Sequence, residues 1–429
     1  MKTTRQQIPG LVLLEHEFQL PLDHDDPSGE TIDVFAREVC AIENEGKSLP
    51  WLLFLQGGPG FPAPRPMRCS GWLGRAVKEF RVVLLDQRGT GRSSPVTQES
   101  LARLPDARAQ ADYLTHFRAD SIVADAECIR CELAGDEERW TLLGQSFGGF
   151  CSVHYLSVAP ESLSAVLITG GLPGLDTPIE TVYEQTYAKL IEKNTRYYER
   201  YPGDIARIRA IADHLDTHEV WLPRGDRLTV HGFQALGISF GMSDGYEPLH
   251  YLVENAFVEG PEGPTLSYPF LRGVENATAY DTNPIYALLH EAIYAQDTPT
   301  NWCATRLRSD FPAFDEGAIP LLFTAEMIYP WMFEEIPALQ GMHEAADLLA
   351  AKSDWPNLYD VDRLAENDVR VAAAIYHDDV YVPVQLSLET AARIRGTRTW
   401  VSNEYEHNGL RADGERVFGR LLDMTRGKI

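Results

Sequence analysis

The stretch Thr141-Leu-Leu-Gly-Gln-Ser-Phe-Gly-Gly-Phe150 decides the fold of this chain. Its centre, Gly144-Gln-Ser-Phe-Gly148, has the form G-x-S-x-G. A β-prone run over 140–143 leads into it, and a helix-compatible run over 150–158 leads out. A serine between two such runs sits at the apex of a sharp strand-to-helix turn, where small neighbours let the helix close on the strand. It also lies over the helix N-terminus, where backbone N–H groups favour developing negative charge. The motif alone also fits a plain strand-to-helix turn, so its meaning depends on what surrounds it.

Working outward, strands are expected over 19–22, 31–39, 51–55, 80–86, 140–143 and 164–169, with a helix over 119–133. The short apolar strands close on glycine-rich loops, Gln56-Gly-Gly-Pro-Gly60 and Gln87-Arg-Gly-Thr-Gly-Arg-Ser93. Apolar strands alternating with helices indicate an α/β fold, a mostly parallel sheet covered on both faces. From about residue 172 the pattern changes to helices over 179–201, 205–214, 233–240, 246–257 and 284–294. Strands resume over 369–376 and 398–401, and a last helix covers 414–424. The expected organisation is a sheet domain in two parts, 1–171 and 356–429, interrupted by a mainly helical cap over 172–355.

Composition narrows the function. The chain has 429 residues, 44% hydrophobic and 24% charged, ordinary for a globular protein able to bury a large core. A net charge of −25 argues against nucleic acid and anionic membrane surfaces as partners. No apolar run reaches the length of a membrane span, and the first residues lack the apolar core of a signal peptide, so a cytoplasmic protein is expected. The six cysteines are scattered and form no disulfide framework. Cys128-x-x-Cys131 has no second pair to complete a zinc site and reads as two small helix residues. Cys151, close behind Ser146, is a candidate for the back wall of a site.

A serine hydroxyl needs a base to take its proton, and the base needs an orienting acid. His407 stands in the polar loop Glu404-Tyr-Glu-His-Asn-Gly409, after the last expected strand. Asp378 and Asp379 follow the strand ending at Tyr376, so both are placed at its C-terminal end, where functional loops of such sheets gather. The order Ser, Asp, His matches the order known for serine nucleophiles in this strand-turn-helix setting. His154 is near Ser146 in sequence but belongs to helix packing. For an oxyanion, the N–H of Phe147 is one candidate donor and that of Gly58 the second.

Taken together, these motifs resemble the prolyl aminopeptidase (proline iminopeptidase) family of α/β-hydrolases. The resemblance rests on Gln56-Gly-Gly-Pro-Gly60, Asp86-Gln-Arg-Gly-Thr-Gly-Arg-Ser93, Gly144-Gln-Ser-Phe-Gly-Gly149, Asp379-Val-Tyr-Val-Pro383 and Glu406-His-Asn-Gly409, and spans nearly the whole chain. Length and Glu326-Met-Ile-Tyr-Pro-Trp-Met-Phe333 resemble the longer, bacterial size class. Gln56 departs from the family, many members of which carry histidine there. The resemblance implies that Asp379, four residues before Pro383, is the triad acid. It implies cleavage of N-terminal proline from peptides through a prolyl ester of Ser146, with no metal or organic cofactor. It implies further that cap glutamates hold the cationic amine of the substrate, since a buried charge needs a partner. Glu291 matches one such position, and Glu247 or Glu254 is the candidate for the second. Tyr329 and Trp331 are candidates for the walls of a proline pocket, although core packing explains them equally well. An esterase or a broader aminopeptidase on the same fold is the alternative, and a catalytically inactive binding protein is the alternative of another class. The sequence leaves a homo-oligomer open.

Overall fold

The computed structural model describes residues 1–429 other than 278, 279 and 281. Nine strands form one sheet: β1 (Lys2–Ile8), β2 (Leu11–Pro21), β3 (Thr31–Ala41), β4 (Trp51–Leu55), β5 (Arg81–Asp86), β6 (Trp140–Gln145), β7 (Leu163–Thr169), β8 (Arg370–Tyr376) and β9 (Thr397–Ser402). Their spatial order is β1-β2-β3-β5-β4-β6-β7-β8-β9. Strands β1, β2 and β3 form an antiparallel meander, and β3 also joins β5 antiparallel. From β5 to β9 every pairing is parallel. This is the α/β-hydrolase architecture.

Strand β4, Trp-Leu-Leu-Phe-Leu, is nearly continuous hydrophobic sequence because it lies at the sheet centre with both faces covered. On one face, the helix Gly71–Ala76 and the C-terminal helix Gly414–Thr425 close a core that includes Leu52, Phe54, Val82, Leu84, Phe418 and Leu421. On the other, the helices α1 (Ala119–Leu133) and α2 (Phe147–Val158) pack under the sheet, and their core runs on without a break into the inserted segment.

That segment leaves the sheet after β7 and returns at β8. Its helices include α3 (Ile179–Arg200), α4 (Asp204–Thr217), α5 (Tyr246–Glu254) and α6 (Tyr268–Ala277). Two small ribbons, Val220–Trp221 with Arg227–Leu228 and Phe257–Gly260 with Gly263–Leu266, interrupt the helices.

Several local expectations are corrected, among them the helix over 284–294, which is an α-helix, Pro284–Leu289, followed by a 3₁₀ turn, Glu291–Tyr294. The strand expected over 19–22 is only the end of an eleven-residue β2, and β1 was not expected at all. Strand β1 is an exposed polar edge, Lys-Thr-Thr-Arg-Gln-Gln-Ile, held by backbone pairing with β2, so no apolar period marks it. The helix expected over 233–240 is a short α-helix, Val230–Gln234, followed by a 3₁₀ stretch, Ala235–Gly241. There Gly237 comes so close to the Thr324 carbonyl that a Cβ would stand 2.2 Å from its oxygen, so a side chain has no room at this position.

Candidate active site

Four loops meet at the C-terminal edge of the parallel strands: 56–60 after β4, Ser146 after β6, 377–383 after β8 and 403–408 after β9. The site is built where the strands end, as the alternation of strand and helix requires.

Ser146 has φ 53° and ψ −126°, a strained backbone for a residue with a Cβ. Its N–H donates to the Thr169 carbonyl at 3.0 Å, which pins the apex to β7. Gly148 is required for a second reason: a Cβ there would lie 2.0 Å from the Leu55 carbonyl oxygen, so any side chain would push α2 off β4. Ser146 is 8% exposed and opens helix α2, whose first N–H groups have no acceptor within the helix.

The Asp86 motif is scaffolding for the loop opposite Ser146. Asp86 is fully buried and accepts two bonds from Arg65, at 2.6 Å each, with Ala63 N–H at 3.1 Å and Arg92 N–H at 3.0 Å. The Gln87 side chain donates to the Gln56 carbonyl at 3.0 Å. Arg88, also buried, is clamped by Asp125 at 2.6 and 2.7 Å and donates to the carbonyls of Pro21, Leu22 and His116. These bonds fix the glycine loop to the end of β5. Gly58 has φ 137°, a conformation suited to glycine, and it lines the same cavity as Ser146.

His407 and Asp379 are brought together from separate loops. The His407 Nδ1–H donates to Asp379 Oδ2 at 2.7 Å. The other carboxylate oxygen, Oδ1, accepts the N–H groups of Tyr381 at 2.9 Å and Val382 at 3.0 Å. Asp379 is 2% exposed and His407 5%. Burial alone pulls the imidazole down. The Asp379 charge and hydrogen bond, with a smaller contribution from the Glu326 carboxylate, reverse this and hold His407 above its ordinary value. Asp378 is turned away from His407 and pairs with Arg196 at 3.2 Å.

Ser146 and His407 open into one cavity of about 310 Å³. Its apolar walls include Phe61, Ile238, Met242, Tyr286 and Tyr381, and Gln56, Gly57 and Gly58 form its floor beside the serine. Glu326 also lines it, and its Oε1 accepts the Tyr286 hydroxyl at 2.8 Å. The Glu326 backbone carbonyl accepts His290 Nε2–H at 3.1 Å.

Several expected residues lie elsewhere. Glu291 does not line the cavity: its carboxylate accepts Cys303 N–H and Ala304 N–H at 3.0 Å each and so ties down the start of the helix Cys303–Arg308. Burial pushes that carboxyl up to about 7, against the lowering effect of those bonds. Glu247 is on the outer side of the inserted segment, paired with Arg200 at 2.6 Å and Tyr201 Oη at 3.1 Å. Glu254 is exposed on the same helix. Tyr329 is buried against Tyr187, their hydroxyls 3.0 Å apart, and Trp331 stacks on it at 5.9 Å; neither reaches the cavity. Cys151 is fully buried within α2 and does not line the cavity. His154 is a packing residue, its Nδ1–H donated to the Leu358 carbonyl at 2.5 Å.

Glu326 was not among the candidates, yet a signal for it exists. It is the single charged residue in Leu321-Leu-Phe-Thr-Ala-Glu-Met-Ile-Tyr-Pro-Trp-Met-Phe333. A lone carboxylate in so apolar a run is carried toward the interior, where it needs a partner or a purpose.

The chain is similar to several known proteins. The alpha/beta hydrolase fold family matches residues 50–211. A proline iminopeptidase of Aeromonas sobria is 48% identical over 422 residues, 98% of either chain. A proline iminopeptidase of Aspergillus aculeatus is 36% identical over 424 residues, 97% of this chain and 94% of its own. The crystal structure of a Mycobacterium smegmatis proline iminopeptidase aligns with 96% of this chain and 100% of its own, at 14% identity and a TM-score of 0.45.

Proposed function

From the premise that this chain belongs to the proline iminopeptidase family, we propose that its cavity releases N-terminal proline from peptides through a prolyl ester of Ser146. His407 takes the Ser146 proton as the hydroxyl attacks the prolyl carbonyl, and Asp379 holds the tautomer and supports the imidazolium. The N–H groups of Phe147 and Gly58 receive the negative charge on the carbonyl oxygen. His407 then gives its proton to the leaving amine. Water, deprotonated by His407, attacks the ester, and proline and the free serine are restored.

The substrate amine is assigned to Glu326 in place of Glu291 and Glu247. The observation that carries this reading is one apolar cavity holding Ser146, His407 and the Glu326 carboxylate. A free amino end is cationic and finds an ionic partner at Glu326. A blocked or internal proline brings a neutral amide, which leaves the half-buried carboxylate without an ionic partner, and that difference gives specificity. Phe61, Tyr286 and Tyr381 offer flat apolar faces to the pyrrolidine ring. In this reading, residues 172–355 act as a cap domain that carries the amine site over the nucleophile.

A cytoplasmic location is supported by six free cysteines, with Cys69 and Cys131 exposed, as a reducing compartment allows. No helix among the described residues is long and apolar enough to cross a membrane.

The test is active-site labelling. A fluorophosphonate should label Ser146 in the wild type, and Ser146→Ala should lose both the label and all turnover while keeping its thermal transition. Wild-type turnover in Ser146→Ala removes the nucleophile assignment.

A further inference from the structure

The residues that position the catalytic acid and base belong to the inserted segment as much as to the sheet domain. Three consecutive residues of the histidine loop each bond to it. Glu406 forms an ion pair with Lys193 of α3. The His407 N–H donates to the Gly241 carbonyl at 3.0 Å. Asn408 Oδ1 accepts both the N–H and the hydroxyl of Ser243, at 3.1 and 3.0 Å. The aspartate loop is gripped in the same way. Asp378, directly before Asp379, pairs with Arg196 one turn along α3, at 3.2 and 3.3 Å, and the Tyr381 hydroxyl donates to the Ile238 carbonyl.

The Lys193 link is the strongest of these. Its side chain is 1% exposed, and Glu406 is its ion-pair partner. A buried ammonium separated from its carboxylate carries a large desolvation cost, so the pair holds its geometry more firmly than a surface pair. The Lys193 carbonyl is itself fixed by the Tyr246 hydroxyl at 2.9 Å, which ties α3 to α5 at this point. Neither Lys193 nor Arg196 lines the cavity, so neither touches substrate.

We propose that Lys193 and Arg196 are positioning residues of the reaction: through Glu406 and Asp378 they set the loops that carry His407 and Asp379, so the triad is competent only while the cap is docked. This rests on Ser146, His407 and Asp379 being the catalytic set. A consequence is that the cap is a fixed part of the catalytic machinery. A cap that swung away as a lid would release the base from Gly241, Ser243 and Lys193 together. Substrate therefore enters through the cavity mouth with the cap in place.

The experiment compares Lys193→Met, Glu406→Gln, their double variant and Arg196→Met with the wild type. Each is checked for folding by circular dichroism and thermal unfolding. The readouts are kcat and KM on a prolyl naphthylamide and the rate at which a fluorophosphonate labels Ser146. Lys193→Met should lower kcat and the labelling rate by about tenfold to a hundredfold, the scale of a small misplacement of a catalytic group. KM should change less than about twofold, since Glu326 and the cavity walls are untouched. The double variant should lose little more than Lys193→Met, because both changes break one link. Arg196→Met should cost less, about twofold to fivefold, as its pair is partly exposed and screened. Arg393→Met removes a different ion pair, to Asp176 at 2.5 and 2.9 Å, at the end of the helix Val384–Arg393 away from the aspartate loop, and should leave kcat unchanged.

A folded Lys193→Met with wild-type kcat and labelling rate overturns the proposal, as does a loss confined to KM or an additive double variant. Should Lys193→Met fail to fold, Glu406→Gln and Arg196→Met decide by the same criteria. Labelling does not depend on proline recognition. A wild type that labels but does not cleave prolyl substrates defeats the substrate reading and leaves this proposal measurable by labelling alone.

Discussion

The edge of the sheet and the inserted segment are built in different ways. At the sheet edge, side-chain placement is fixed by backbone: the strained Ser146 apex, the clash-free contact of Gly148 with Leu55, and Asp379 held by two N–H groups. In the inserted segment, what a side chain touches depends on which way its element faces. Glu326 and Glu291 show this within one segment. Both are carboxylates of the inserted segment, but Glu326 faces the cavity and Glu291 faces the start of a neighbouring helix. Backbone-encoded function is tied to motif spacing; side-chain-encoded function is tied to packing.

The comparison breaks first at Glu326. Glu326→Gln should lower kcat/KM for a free prolyl substrate by about thirtyfold to a hundredfold, corresponding to a charged hydrogen-bond partner worth about 2–3 kcal/mol. A fluorophosphonate should still label Ser146 in that variant, because the sheet edge is intact. Loss of labelling would merge the two regions into one functional unit at this residue.

A smaller effect links them electrostatically. His407 acts as a base only when neutral, and it is held above its ordinary value, so the acid limb of kcat/KM should lie above about pH 6.5. The Glu326 charge contributes to this elevation. Removing it disfavours the imidazolium, so Glu326→Gln should move the acid limb to lower pH. An unmoved limb would separate Glu326 from His407.

The smallest effects belong to the carboxylates outside the cavity. Glu291→Gln and Glu247→Gln should each leave kcat/KM within about twofold of wild type, since neither contacts substrate. Glu291→Gln should instead change stability against pH. Its carboxyl rises from 4.5 to about 7 on folding, so the folded state binds the extra proton across that interval. Stability from this group therefore falls as pH rises from 4.5 to about 7, and the variant should flatten that part of the thermal-unfolding profile. A large activity loss in either variant would restore it as a substrate contact.

The same contrast explains what is legible in the sequence. Strands β4 to β7 are readable because apolar runs end on glycine-bearing loops, and the bounds of α1 coincide with the spacing of its apolar residues. Asp379 and His407 are placed by their position after strands, and the structure joins them at 2.7 Å. Strand β1 is not readable, because pairing rather than hydrophobic pattern creates it. The expected cap glutamates, Glu291 and Glu247, miss the cavity for a related reason. In a chain with 63 acidic residues, an acidic residue on a helix carries almost no information about its facing. Lys193 is hidden likewise: its burial against Glu406 joins residues 213 apart, and no local pattern announces it.

The central claim is that one cavity joins a serine nucleophile to an amine-binding carboxylate. The direct measurement compares hydrolysis of prolyl, alanyl and N-blocked prolyl naphthylamides by the wild type and Glu326→Gln. The account predicts fast turnover of the free prolyl substrate, little of the blocked one, and a collapse of that preference in Glu326→Gln. Equal turnover of free and blocked prolyl substrates by the wild type would contradict it.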